Sequence, residues 1–362
     1  MAVNKDNLLG RTRGVATSID VARLAGVSRS AVSRTFTDGA SVAPDTRARV
    51  LAAAETLKYR PNQIARSLIT KRSMIVGLAI SHLDNQFYPS VVEEICARLS
   101  DAGYRALMFI TRGEESLEPL LGELLRFGVD GLLLASGGAL SNLVRECAAV
   151  GLPVVMFNNA APDASVPHVV GDNRQGGAMI ARFLLAGGHA RYAFLSGTPG
   201  VSTSEQRHAA YRAVLVEAGH ARPVRVLTDF SYDDARARTV ALLSGPQAPD
   251  ALFCANDHLA FAALHAAVDS GKTPGRDVSI VGFDDVEIAR WPALSLTTYR
   301  QSPSEIAGAA IATLQVLLRQ ERLPSVETTI TGRLVVRNST RRPAEGLVAT
   351  ADGDWAWRPP SD

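Results

Sequence analysis

The apolar residues of this chain change rhythm near residue 73, and that change limits what it can become. Up to Ser73 they recur at helical spacings in short stretches; beyond it, short apolar runs alternate with longer helical stretches. The first pattern suits a small all-α unit, and the second argues βαβ units with parallel sheets. Charge divides at the same place. Residues 1–73 hold 13 Lys+Arg against 5 Asp+Glu, a net +8, while the other 289 residues hold 25 against 31, a net −6, so the overall +2 hides two unlike parts. A basic module joined to a mildly acidic body points to a polyanionic partner for the first part.

Within SIDVARLAGVSRSAVSRTF, residues 18–36, Val21, Ala22 and Ala25 form one stripe of a short helix. Gly26 can take positive φ and end it, Val27 is apolar just beyond, and Ser28 can cap a second helix that buries Ala31, Val32 and Phe36. Two short helices joined by a glycine turn predict a helix-turn-helix. Its outward face is Arg29, Ser30, Ser33 and Arg34, residue types that reach base edges in a major groove. A third helix is expected from Pro44 or Asp45 to Lys58, with Val50, Leu51, Ala54 and Leu57 on one face, ending before Pro61. Asn62 can then cap a short segment, Gln63 to Leu68. Helices that short do not persist alone in water, so this one should order on DNA or on a second copy.

The body offers strands at Met74–Ile80, Arg105–Ile110, Gly131–Ala135, Pro153–Phe157, Tyr192–Ser196, Ala251–Cys254 and Val278–Val281. Helices fit Pro89–Ala102, Leu117–Phe127, Gly176–Leu185, Glu205–Ala218, Tyr232–Leu243 and Asp257–Asp269. In such sheets ligands bind beyond the carboxyl ends of the strands. Those ends are polar here: His82, Asp84, Asn85, Phe87 and Tyr88 follow the first strand, then come Asn158-Asn159, Asp172-Asn173, Asn256-Asp257 and Phe283-Asp284-Asp285. Amides and carboxylates interleaved with aromatic faces suit a small polar ligand such as a sugar.

Enzyme motifs fail. No Gly-x-Gly opens a dinucleotide loop, and Gly171 to Gly177 lacks the Lys and Ser/Thr of a phosphate loop. No two histidines stand four apart, and no nucleophile is paired with a base. The adjacent pairs Asp233-Asp234 and Asp284-Asp285 read as solvated turns, and Asp257 as a helix cap. No catalytic residue, metal or cofactor is expected. Cys96, Cys147 and Cys254 read as buried small hydrophobes, not as a disulfide or zinc framework. Met1 to Gly14 has no signal-like apolar stretch and no run approaches ~18 apolar residues, so a cytoplasmic protein without a membrane partner is expected.

DVARLAGVSRSAVSR, TRARVLAAAETLKYRPNQIARSL, MIVGLAI, FCANDHLAFAAL and VSIVGFDD, in that order, resemble the lactose/galactose repressor family of bacterial transcription regulators over about residues 17–340. The resemblance implies an all-α three-helix headpiece followed by an α/β two-lobed periplasmic-binding-protein-like domain. Arg29, Ser30 and Arg34 would read bases; Thr17, Ser28, Ser33 and Asn62 would contact the backbone or cap helices. Gln63 to Leu68 would be a hinge helix in the minor groove, with Ala65 and the wedging Leu68 facing DNA. Arg207, Asn256 and Asp284 match the family's ligand-holding residues, and Phe87, Asn158, Asp172 and Phe230 fall at cleft positions. Gln86 and Thr37 depart from the family's common proline and asparagine, and Asn158 stands where many sugar-binding members have aspartate.

The implied organisation is an arm (1–16), a headpiece (17–60), a hinge and linker (61–73), an effector and dimerisation domain (74–340) and a tail (341–362) without coiled-coil heptads. One lobe would span about 74–172 and 301–330, the other about 173–300 and 331–340. The implied function is a homodimeric, effector-responsive, nucleoid-associated repressor of carbohydrate or related genes, binding near-palindromic operator DNA. Two other readings are a cytoplasmic sugar-binding protein without a DNA role and a small-molecule enzyme on an α/β frame.

Overall fold

A computed structural model describes residues 16–37, 39–60, 72–81, 83–111, 118–135, 141–160 and 165–359. The chain forms two compact units, Met1–Ser73 and Met74–Asp362.

In the first unit, Thr17 opens α1 (Ser18–Ala25) by donating its N–H and Oγ1–H to the Asp20 carboxylate at 3.0 and 2.7 Å. Gly26 ends it at φ 64°, a left-handed conformation in which a Cβ is disfavoured, and the Val27 N–H closes back onto the Ala22 carbonyl at 3.0 Å. Ser28 caps α2 (Arg29–Thr35), its Oγ accepting from the Ala31 N–H at 3.2 Å. α3 (Pro44–Thr56) starts on a proline and lays Val50, Ala53 and Ala54 against Val21, Ala22, Ala25 and Val32. Leu51 was expected on that inner face and instead is exposed: the stripe runs Val50, Ala53, Ala54, Leu57, and the residue after Val50 lies 100° around the helix. Phe36, expected to be buried, is only partly so, and packs beside Tyr59 at the rim of the core.

The second unit is two parallel-rich sheets. The first takes β1 (Ile75–Ile80), β2 (Arg105–Ile110), β3 (Gly131–Ala135), β4 (Val154–Phe157), β5 (His168–Gly171) and β11 (Glu327–Ile330), ordered β11-β5-β4-β3-β1-β2, every pairing parallel. Its helices are α4 (Phe87–Asp101), α5 (Glu118–Phe127), α6 (Ser141–Ala149) and α11 (Pro303–Leu318). The second sheet takes β6 (Tyr192–Ser196), β7 (Val224–Leu227), β8 (Ala251–Cys254), β9 (Ser279–Asp284), β10 (Thr297–Arg300), β12 (Arg333–Val336), β13 (Leu347–Ala349) and β14 (Trp355–Trp357), ordered β13-β14-β12-β10-β9-β8-β6-β7. With it go α7 (Asn173–Ala186), α8 (Ser202–Glu217), α9 (Tyr232–Ser244) and α10 (Asp257–Asp269). The chain passes between the sheets at residues 172–191, 301–326 and 331–332.

Strands with continuous apolar runs lie where sequence predicts them, and α10 spans the expected residues. The strands β7, β10, β11 and β12 and the helices α6 and α11 have no counterpart in the sequence reading, and β5 is anticipated there only as the strand end before Asp172. β7 and β11 are sheet edges in which no residue is fully buried, so no continuous buried run marks them. β10 begins with Thr297 and Thr298, buried because their hydroxyls are satisfied: Thr297 Oγ1 accepts from the Arg337 N–H at 2.9 Å, and Thr298 donates to Asp257 at 2.6 Å. The tail, set apart in the sequence division, supplies β13 and β14 of the second sheet. Cys147 and Cys254 are buried as expected; Cys96 is half-buried.

Candidate functional site

On the headpiece, the Arg29, Ser30, Ser33 and Arg34 side chains project to solvent from α2. Arg34 Nε donates to the Ser30 carbonyl at 3.4 Å, and Ser30 Oγ lies 2.9 Å from Ser28 Oγ. Three other arginines of this unit are engaged within it. Arg23 pairs with Asp20 and Arg49 with Asp45, and Arg47 donates to the Thr35 and Ala40 carbonyls at 3.1 and 3.4 Å, tying α3 to the end of α2. Among the described residues no carboxylate pairs with Arg29 or Arg34. Arg29 and Arg34 thus stand exposed on one helix beside Ser30 and Ser33, an arrangement that meets phosphates and base edges. Asn62, Ala65 and Leu68, and the whole Gln63–Leu68 segment, lie outside the described residues.

The body has a cleft where the strand ends of both sheets converge. Asp84, Asn85, Tyr88, Asn158 and Asn159 line it from the first sheet's side. Val201, Thr203, Ser204, Arg207, Phe230, Ala255, Asn256, His258 and Asp284 line it from the second. Close packing aims the charged pair. Gly177 of α7 lies so near α8 that a Cβ there would stand 2.4 Å from the Arg207 carbonyl oxygen, so glycine lets the helix bearing Arg207 approach. Gly197 likewise makes room for the Phe230 ring, which would lie 1.8 Å from a Cβ.

Arg207 is 4% exposed. Its Nε donates to Asn173 Oδ1 at 2.8 Å, Nη1 donates to the Ala255 carbonyl, and Cζ sits 3.5 Å above the centre of the Phe283 ring. Nη2 is 4.0 Å from Asp284 Oδ1, which accepts from Gln301 Nε2 at 2.7 Å. Burial pulls the guanidinium down to about 10 against the opposing Asp284 charge. Burial pushes the Asp284 carboxyl up, with Arg207, Gln301 and Asn85 each holding it down. Among the described residues, four buried polar atoms of this lining have no hydrogen-bond partner: Asn158 Oδ1, Asn159 Oδ1, Asp284 Oδ2 and His258 Nε2. Unpaired buried acceptors are costly unless a ligand satisfies them. Asn158, Phe230 and Asp284 also take positive φ (55°, 68° and 128°), a conformation that surrounding contacts must hold and that clusters at ligand sites.

Of the sequence-selected cleft residues, Asn158, Arg207, Phe230, Asn256 and Asp284 come together. Phe87 and Asp172 do not line the cleft. Phe87 turns into the core of the first lobe and its neighbour Tyr88 faces the cleft, while Asp172 Oδ1 caps α7 by accepting from the Gln175 N–H at 2.9 Å. Asn256, not Asp257, caps α10: its Oδ1 accepts from the Leu259 N–H at 2.9 Å, which leaves the amide NH₂ for the cleft. Asp257 is wholly buried and accepts from Thr298 Oγ1 and, at 2.9 Å, from the Val286 N–H; burial and then the Asp284 charge raise its pKa. Asp284-Asp285 is not a solvated turn either, because Arg207 faces the first carboxylate and Arg300 and Arg337 grip the second. The Asp233-Asp234 pair does open α9 at the surface, Asp234 pairing with Arg238. Thr203, Ser204 and His258 were missed; Thr203 and Ser204 stand four and three residues before Arg207, on its helix face, a spacing that could have found them.

An exposed Arg/Ser face on a helix-turn-helix, carried by the same chain as a two-lobed polar cleft, defines a DNA-binding regulator with a small-molecule sensor. Residues 19–62 match the family described as bacterial regulatory proteins, lacI family, and residues 181–340 match a periplasmic binding protein-like domain. Catabolite control protein A of Priestia megaterium is 30% identical over 336 residues, covering 90% of this chain and 99% of that protein. The crystal structure of the lac repressor dimer bound to operator and the anti-inducer ONPF is similar at TM-score 0.83 and 26% identity, over 91% of this chain and all of that one. The complex of the transcriptional regulator CelR with cellobiose gives TM-score 0.69 and 30% identity over 90% and 99%. The chain belongs to the lacI family of bacterial regulatory proteins.

Proposed function

We propose that this chain is a homodimeric transcription regulator of carbohydrate or related small-metabolite genes, in which a sugar-like effector in the cleft shifts operator affinity. Arg29, Ser30 and Arg34 read bases; Thr17, Ser28, Ser33 and Asn62 fix the headpiece on the phosphate backbone; Ala65 and Leu68 act in the minor groove. Arg207 and Asp284 each take hydroxyls of a diol, Asn158, Asn256 and His258 add directional partners, and Tyr88 and Phe230 offer ring faces. The effector domain spans 74–340, and segment 61–73 carries the signal to the headpiece. The protein acts in the cytoplasm, on the nucleoid.

The observation that carries this reading is the pair of unlike sites in one chain: exposed arginines on α2 and buried polar atoms in the cleft, neither paired among the described residues. The near-balance of Arg207 against Asp284 favours an uncharged polyol over an anion. A similar regulator solved in complex with cellobiose supports that class. To move an equilibrium from 1:99 to 99:1 an effector must prefer one state by about 5.5 kcal/mol, so it must touch both lobes. The test is a thermal-shift screen of neutral sugars and sugar acids on the full chain, followed by operator titration with each hit. Stabilisation by a neutral sugar with changed operator affinity is the expected result; stabilisation by sugar acids alone, or none with unchanged DNA binding, would overturn it.

A further inference from the structure

The C-terminal hairpin, β13 and β14, lies beyond both family-matched spans, which end at residues 62 and 340. It is built into the second sheet through β14–β12 pairing, Val335 opposite Ala356 and Val336 opposite Trp355. Trp357 packs edge-on against Phe183 at 5.7 Å and donates Nε1–H to the Glu345 carbonyl at 3.0 Å. The turn between its strands carries Asp352 and Asp354, and both point at arginines of the sheet.

Those arginines lead to the cleft. Arg337 forks onto Asp354, Nε to Oδ1 at 3.2 Å and Nη2 to Oδ2 at 3.1 Å, while its Nη1 donates to Asp285 Oδ1 at 2.7 Å and to the Leu296 carbonyl at 2.8 Å. Arg300 donates Nη2 to Asp354 at 3.0 Å and Nη1 to Asp352 at 2.7 Å, and Nε to the other oxygen of Asp285. Arg333 closes the set on Asp352 at 2.8 Å. The Asp285 side chain is 2% exposed and that of Arg337 6%, so these charges depend on each other and not on water. Asp285 directly follows the cleft carboxylate, and the two residues share an unusual backbone: φ is 128° at Asp284 and 57° at Asp285. L residues rarely adopt such a pair, and the surrounding contacts must over-determine it.

We infer that the terminal hairpin is a positioning device for the effector site: Asp354, acting through Arg337 and Arg300, holds Asp285 and thereby aims the Asp284 carboxylate into the cleft. Asp354 and Asp352 are positioning residues, touching no ligand. Without the hairpin acids, Arg300 and Arg337 would converge on Asp285 with its one carboxylate between them, and the left-handed pair would lose what braces it. The functional importance of this aim rests on the assignment of Asp284 to the effector cleft; the brace itself does not.

The test is residue-resolved hydrogen exchange on the full-length chain, with no sugar added, comparing wild type with Asp354→Asn. The amides that report the Asp284-Asp285 geometry are Asp285 N–H on Thr298 Oγ1, Val286 N–H on Asp257 Oδ2 and Gln301 N–H on the Asp284 carbonyl. Exchange at these three should quicken at least tenfold, the Asp284 ¹³Cγ resonance should shift, and the α10 amides should stay within twofold. Asp354→Glu, which keeps the charge, should restore most of the protection. If Asp354→Asn proves too unstable, Asp352→Asn removes one arm of the network and should show the same local pattern more weakly. Unchanged exchange at the three amides would overturn the inference, and so would a uniform loss of protection through the sheet, which marks the hairpin as a structural edge only. Because no sugar is needed, a failure here is distinct from a failure of the effector reading.

Discussion

The headpiece and the cleft use arginine in opposite ways. On α2, Arg29 and Arg34 stand in solvent with no carboxylate paired to them among the described residues, while the core beneath is seven small residues held by caps and a glycine turn. In the cleft, Arg207 is buried over an aromatic ring, bonded to Asn173 and to a carbonyl, and faced by a carboxylate 4.0 Å away. An exposed cation costs the fold little and keeps its charge for a polyanion; a buried one must be satisfied on every side and leaves only selected atoms for a ligand. The first design suits a surface that reads a long anionic partner, and the second a pocket that measures a small one.

That contrast can be broken by substitution. Arg207→Lys keeps a charge but loses the guanidinium fork, so effector affinity should fall at least 100-fold by calorimetry, about 2.7 kcal/mol, with headpiece DNA affinity unchanged. Equal loss at both sites would mean that the sites are not separable. Val32→Ala opens space in a headpiece core of seven residues and should cost about 2 kcal/mol. In scanning calorimetry the transition of the first unit should drop and that of the second stay.

Smaller effects sharpen the difference. Arg34→Ala should cost about 1–3 kcal/mol on operator DNA while a salt-dependent non-specific component remains, measured by anisotropy at two salt concentrations. Equal loss on random DNA would count against base reading. Thr17→Ala removes a hydroxyl from the start of α1 and should cost about 1 kcal/mol of headpiece stability, leaving the body unmoved.

Acidification separates stability from binding in the cleft. The Asp284 pKa is raised in the folded chain, to about 6, chiefly by burial against the attraction of Arg207. The folded state therefore binds this proton more readily than the unfolded state. Its ionised form costs stability above that value, and the cost is relieved as pH falls from about 6 towards the ordinary aspartate range. Binding should move the other way, because the protonated carboxyl is a poorer acceptor for sugar hydroxyls. Effector affinity is expected to weaken several-fold from pH 7 to 5, while Asp284→Asn should flatten that dependence.

The headpiece could be read almost entirely from sequence, because its structure is local: Gly26, Ser28 and the Val21-Ala22-Ala25 stripe each act within a few residues. Leu51 escaped because five apolar or small residues run together from Val50 to Ala54 and only the packing of α1 and α2 decides which faces inward. In the body, the continuous apolar strands could be read and the edges could not. Asp284, Asn256 and Arg207 were found through strand ends and family resemblance. Phe87 was chosen over Tyr88 because adjacent aromatics at a helix start differ only in the direction the helix gives them. The Asp285 network was out of reach, since its partners lie 15, 52 and more residues away.

The central claim is that one small molecule in the cleft governs DNA affinity. Its direct test is the dissociation constant of the full chain for a near-palindromic DNA selected from a random pool, measured with and without a neutral sugar that raises the melting temperature of the body. A change of tenfold or more that Arg207→Lys abolishes is the expected result. A sugar that binds tightly in the cleft and leaves operator affinity unchanged would contradict it.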